Sequence, residues 1–295
     1  MNIIIPTNTP LFNVLSQAAQ GKRAVFFAGL PGVGKSLYLQ QLALMAHQTG
    51  RVIHLLQWDV TRTAFETPAL LAQYPEVDGV THAAIRKAVG LWARQAVLNW
   101  HQTHHEPEHI LIGEVPLIGN RLIELVQPRE DEAEALLSSD QTQFILPVPS
   151  AQVRQVIEEA RNQSIANPQH EREKADAPPN VLQMLWRDVY ALAHELGLTA
   201  KTLPGRPLSS WKETGNPTYD PAIYASVYEY LLQHRHAKTM LVDMVLPKQE
   251  SVYALDIVNS ELCASADEVA GIMAYMEAEY SPDALEEEVS RWYEL

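Results

Sequence analysis

Cysteine is almost missing from this chain: Cys263 stands alone in 295 residues. With no second thiol, no disulfide can close within the chain, and a reducing compartment is the natural reading. Long apolar runs are missing too. No stretch approaches the roughly 18 residues that a membrane-spanning helix needs. Met1 to Pro10 has neither a basic start nor a long apolar run, so it does not read as a secretory leader, and a cytoplasmic location is expected. There is no Lys/Arg tract: 22 basic side chains face 36 acidic ones, for a formal net charge of −14. Binding long nucleic acid rests on neutralising phosphates with cations, so this balance argues against that role. The acidic clusters Glu130 to Glu134 and Glu286 to Glu288 read as solvated faces. Internal repeats and low-complexity segments are absent.

What remains is ordinary for a globular protein, with 46% apolar and 20% charged residues. The length suits one large domain, or one with a sizeable insertion. Five strands are predicted from apolar runs: Arg23 to Ala28, Val52 to Leu56, His109 to Gly113, Gln143 to Val148 and Thr239 to Leu246. Helices are predicted over Leu11 to Ala19, Ser36 to Gln48, Thr81 to His101, Gly119 to Val126, Ala151 to Asn162 and Val181 to Leu196, with two acidic helices closing the chain. Strands alternating with helices imply an α/β fold with a parallel sheet covered on both faces. Ligands of such sheets bind at the C-terminal strand edge. The proline-rich segment Asn167 to Asp220 interrupts the alternation and reads as a helical insertion or lid, its start mobile. The expected division is a core over residues 1–165, an insertion over 166–236, and a last core strand with acidic helices over 237–295.

The turn after the first strand reads Gly29-Leu30-Pro31-Gly32-Val33-Gly34-Lys35-Ser36, with Leu37 next. It fits G-x-x-x-x-G-K-[ST] in full, with an apolar strand before it and a helix after it. Each residue type has a physical task. The glycines permit close backbone approach, the backbone N–H groups form an anion cradle at a helix N-terminus, Lys35 reaches the β- and γ-phosphates, and the Ser36 hydroxyl ligates Mg²⁺. The motif and its context resemble the P-loop NTPase superfamily, over about Lys22 to Val148 and Thr239 to Leu246. The resemblance implies a three-layer sandwich with about five parallel strands that binds ATP and Mg²⁺. N-K-x-D, L-S-G-G-Q and an acidic doublet with later sensor arginines are all missing. The chain therefore looks most similar to the nucleoside and small-molecule kinases of that superfamily.

Asp59 ends the second strand, where kinases similar to this one place an acid that contacts the acceptor hydroxyl; its plainer reading is a helix cap. Arg62 could bind an anionic group. Glu114 follows the third strand and could hold Mg²⁺ in place of the commoner Asp. Asn120 and Arg121 point to the same edge. Arg154 and Arg161 share one helix face, with Arg172 just beyond, and lid arginines of such kinases stabilise the transferred phosphoryl; Arg161 is the candidate. His101, His104, His105 and His109 suggest a metal cluster, yet with no HExxH and no cysteine partner they read as a solvated loop. Trp186, Tyr190, Trp211, Tyr219, Tyr224 and Tyr228 read as core before acceptor pocket. The expected function is ATP- and Mg²⁺-dependent phosphoryl transfer to a hydroxyl of a small-molecule acceptor. Lys35, Asp59 and Arg161 would be catalytic, Gly29 to Leu37 would bind nucleotide, and Ser36 and Glu114 would hold the metal. The alternative is a regulatory ATPase acting through a protein partner, with the acidic helices and the aromatic insertion as its surface.

Overall fold

A computed structural model describes residues 2–77, 79–199, 217–247 and 250–295. Trp211, Pro204 and Pro207 of the expected insertion lie outside them. Among the described residues there is a single sheet. Its strands are β1 (Ala24–Ala28), β2 (Val52–Gln57), β3 (His109–Val115), β4 (Thr142–Pro149), β5 (Ala237–Val242) and β6 (Val258–Glu261). The spatial order is β5-β4-β1-β3-β2-β6 and every pairing is parallel. The sheet therefore has six strands where five are expected. The extra one, β6, reads Val-Asn-Ser-Glu and is largely exposed. An edge strand with one covered flank needs no apolar run, so it leaves no hydrophobic signature.

Eleven α-helices are described: α1 (Pro10–Gly21), α2 (Lys35–Gln48), α3 (Trp58–Thr61), α4 (Pro68–Gln73), α5 (Ala83–Thr103), α6 (Glu132–Leu137), α7 (Ala151–Ala166), α8 (Pro179–Glu195), α9 (Pro221–Leu231), α10 (Ala266–Glu279) and α11 (Pro282–Ser290). They cover both faces of the sheet. Alternation along β1 sends Ala24, Phe26 and Ala28 into the core shared with α5, α8, α9, α10 and α11, while Val25 and Phe27 enter the core shared with α1 and α2. Every β1 residue is buried, as a central parallel strand requires. Phe26 stacks on Phe144 of β4 with ring centroids 5.0 Å apart. Gly113 of β3 makes room for that stack, since a Cβ there would stand 2.4 Å from the Phe26 ring.

The segment after β3 departs from expectation. No α-helix forms over Gly119 to Val126. Leu117, Gly119, Asn120 and Leu122 all have φ near +60°, which breaks helical progression, and only a 3₁₀ turn over Ile123–Leu125 follows. The apolar spacing is met by a folded loop that buries Leu117, Leu122, Ile123, Leu125 and Val126 one by one. The start of the insertion is also tied down: Glu173 accepts hydrogen bonds from the Gln169 amide at 2.6 Å and from the Ser251 hydroxyl at 2.8 Å. The aromatics pack as core, with Trp186, Tyr190, Tyr224 and Tyr228 buried. No described helix is long and apolar enough to cross a membrane.

Candidate functional site

Because all the strands are parallel, their C-terminal ends share one edge. β1 delivers Gly29 there, β2 delivers Asp59 through the first turn of α3, and β3 delivers Glu114, in register with Phe27 on one side and Gln57 on the other. The loop from Gly29 to Gly34 joins β1 to α2. Two of its glycines are required by what surrounds them. Gly34, the N-cap of α2, has φ +92°, and a Cβ there would press 3.0 Å from the Tyr38 ring. Gly29 has φ +139°, and a Cβ would stand 2.1 Å from the Tyr224 hydroxyl. Leu30 and Val33 turn inward and are fully buried, and Leu37 packs against the core along α2. The loop is thereby held as bare backbone at the start of a 14-residue helix, where amide dipoles favour an anion.

Lys35 and Ser36 turn toward Glu114. The Lys35 ammonium donates to the Leu30 carbonyl at 2.9 Å and lies 3.4 Å from the Glu114 carboxylate. The Ser36 hydroxyl donates to the other Glu114 oxygen at 2.8 Å. Burial lowers the Lys35 pKa, and the Glu114 charge partly offsets it. A buried ammonium beside one carboxylate is poised to take a second negative group. The Ser36 and Glu114 oxygens are the hard donors that Mg²⁺ prefers.

Asp59 stands across from this group. Its pKa is raised, first by desolvation and then by Glu114, while Arg62 and Lys35 pull it down. The side chain is 63% accessible, so water screens it, and its charge couplings to Glu114, Arg62 and Lys35 place it in the same electrostatic neighbourhood. Arg62 lies 3.5 Å from Asp59, and it is also engaged by Glu66 at 2.7 Å. Arg121 has its guanidinium over the Trp58 ring, 5.9 Å from the centroid, and its pKa is lowered to about 10 by burial and by Arg86 and Arg62. Asn120, expected at this edge, is instead fully buried and donates to Glu124.

The three arginines of the insertion separate. Arg154 of α7 packs on the glycine loop itself: it donates to the Pro31 carbonyl at 3.1 Å and to Glu158 at 2.7 Å, and lies over the Tyr219 ring. It also lines a cavity of about 200 Å³ with Trp186 and Tyr219 beside the loop. Arg161 pairs with Asp176 at 3.6 Å, and its charge is felt at Lys35. Arg172 turns away to a bidentate pair with Glu261 of β6, at 3.2 and 2.7 Å. Tyr224, read as core from the sequence, packs on Gly29. Sequence reasoning misses two contributors: Tyr253 donates to Asp176 at 2.6 Å, and Asp176 acts on Asp59. Both come from segments distant in sequence and carry no local motif, so no single-sequence signal marks them. No protein-family model matches the chain, and no curated protein matches it.

Proposed function

We propose that this chain is a P-loop NTPase of the kinase type, transferring the γ-phosphoryl of ATP to a hydroxyl of a small-molecule acceptor. The observation that carries the reading is the convergence of Lys35 and Ser36 on Glu114, at 3.4 and 2.8 Å, beneath a loop of bare backbone. A buried cation, a hydroxyl and a carboxylate grouped at a helix N-terminus match what a triphosphate with its metal requires. Mg²⁺, held by Ser36 and Glu114, would supply charge neutralisation at the phosphate oxygens. The loop amides and Lys35 bind the β- and γ-phosphates, with Lys35 exchanging its Leu30 carbonyl for phosphate oxygen.

Asp59 orients the acceptor hydroxyl and takes its proton as the new P–O bond forms and the bond to the β-phosphate oxygen breaks, releasing ADP. Arg161 can approach the transferred group once Asp176 releases it, and Arg154 fixes the loop on which the phosphates rest. Acceptor transfer is favoured over the partner-driven ATPase because, among the described residues, Trp186, Tyr190, Tyr224 and Tyr228 are buried in the core and offer a partner no grip. Replacing Asp59 with Asn should lower acceptor phosphorylation about 10²-fold and leave ATP affinity within about twofold, since Asp59 touches no phosphate in this scheme. Parallel transfer assays and ATP titrations decide it, and unchanged transfer removes Asp59 from the mechanism.

A further inference from the structure

The histidines near residues 101–109 look solvated in the sequence, but the fold adds a member from elsewhere. His54 of β2, fully buried, brings its ring to those of His104 and His109, and one ring nitrogen from each of the three lies within 4.8 Å of the others. His109 opens β3 and His104 caps α5, so the group sits at the end of the strands opposite the glycine loop. Ring centroids lie 4.4 Å apart for His54 and His104, 5.1 Å for His54 and His109, and 4.7 Å for His104 and His109.

The outer nitrogens of two rings are already spoken for. His54 Nδ1 is 2.7 Å from the Ser260 hydroxyl, and His104 Nδ1 is 3.0 Å from the Trp100 carbonyl. A carbonyl only accepts, so His104 carries its proton on Nδ1 and turns a bare Nε2 lone pair inward. With Nδ1–H donating to Ser260, His54 does the same. Metal-bound histidines are oriented in this way, with the far ring nitrogen hydrogen-bonded to a backbone or side-chain acceptor. The third ring faces His54 directly, with His109 Nδ1 2.8 Å from His54 Nε2. Two nitrogens bound tetrahedrally at about 2.0–2.1 Å stand roughly 3.3 Å apart, a spacing between this contact and the widest one in the group.

We propose that His54, His104 and His109 form a binding site for a divalent transition-metal ion of the zinc class. The donor set is borderline nitrogen, which selects Zn²⁺, Co²⁺, Ni²⁺ or Cu²⁺ over Mg²⁺ and Ca²⁺. Three protein ligands leave a fourth position for water. Binding displaces the proton shared between His54 and His109; it moves to His109 Nε2, which lies 3.9 Å from the Glu106 carboxylate. Arg23 is the opposing charge. Its guanidinium is held by the carbonyls of His104, Glu106 and His109; burial disfavours its charge, and the Glu106 and Glu108 carboxylates stabilise it. The same contacts pin the backbone of two of the three ligands. An ion here ties β2, β3 and the end of α5 together.

The test uses tag-free, chelator-stripped protein in millimolar Mg²⁺, which occupies the oxygen-donor site at Glu114. Zn²⁺ is titrated calorimetrically, and Co²⁺ is followed by its visible absorption. One equivalent is expected to bind, with the cobalt bands of a nitrogen-rich site. His104→Ala and His109→Ala, both partly exposed positions, should each weaken binding at least 100-fold. His54 is buried, so His54→Gln is used only if its circular dichroism matches the parent. His101→Ala with His105→Ala serves as the control and should bind as the parent does. Absence of stoichiometric binding overturns the proposal. Retention in His109→Ala also overturns it, as does loss in the His101/His105 control, which would put the ion on those two histidines instead.

Discussion

Lys35→Ala should, on the proposed reading, lower ATP turnover about 10³-fold, at the upper end of what one preorganised electrostatic contact supplies at a developing charge. The size follows from where the ammonium sits. Lys35 is buried, fixed by the Leu30 carbonyl and 3.4 Å from Glu114, so it acts in a medium that screens poorly and has no reorganisation to undergo. Truncation removes the only cation in contact with Glu114 within salt-bridge distance among the described residues. Glu114 then keeps the Ser36 hydroxyl, but its charge repels an incoming triphosphate. Both binding and turnover should therefore fall, with the larger loss in turnover. Lys35→Arg should not rescue, since the space between Leu30 and Glu114 is filled and a planar fork does not replace a point charge there. Steady-state ADP release, together with nucleotide affinity by fluorescence or calorimetry, measures this. A Lys35→Ala protein that turns over ATP within tenfold of the parent contradicts the site.

Lys87→Met destabilises the fold by about 3–5 kcal/mol, the range for breaking a buried pair from one side. Lys87 of α5 and Glu124 are both fully buried, with their charges 3.0 Å apart, and Glu288 of α11 approaches the same ammonium at 2.6 Å. The Lys87 pKa is raised: burial opposes the charge, and Glu124 and Glu288 more than compensate. For a lysine the sign is plain. The stabilisation is complete at neutral pH and is lost only as pH rises past the ordinary lysine range toward the folded value. Removing the ammonium leaves the buried Glu124 carboxylate with only the Asn120 amide donating to it, at 3.4 Å, and packed so closely on Gly90 that a Cβ there would stand 1.7 Å from its oxygen. It also frees α11. A second change, Glu124→Gln, should recover part of the loss, because a neutral amide costs far less to bury than an unpaired carboxylate. Urea unfolding of the parent, the single and the double variants reads this out. A loss under about 1 kcal/mol would mean that water reaches Glu124 after all.

The parts of the fold that were legible are those whose causes are local. β1, the glycine loop and α2 are contiguous, and the glycines, the lysine and the apolar run that precede the helix each act within a few residues. Asp59 and Glu114 were legible by position, because parallel strands must end at one edge. The stretch from Leu117 to Val126 was misread because apolar spacing is silent on backbone handedness: three non-glycine residues there adopt left-handed φ, and burial is reached without helix. β6 was missed because an exposed edge strand carries no apolar pattern. The arginines could be placed on a shared helix face, yet only the packing of α7, α8 and α9 decides that Arg154 rests on Pro31 while Arg161 reaches Asp176 and Arg172 reaches β6. His54 carries no signal of its own within the apolar run Val52 to Leu56, and its partners cap α5 and open β3, beyond the reach of any spacing rule.

ADP release from ATP and Mg²⁺, measured with and without pools of nucleosides, sugars, amino alcohols and other small hydroxylated compounds, tests the central claim most directly. The phosphoryl-transfer reading predicts that one pool stimulates ADP release, that a phosphorylated product appears in equal amount, and that Lys35→Ala abolishes both. Slow ADP release that no pool changes, with phosphate rather than a phosphorylated acceptor as product, would contradict it and leave a hydrolase driven by some other partner.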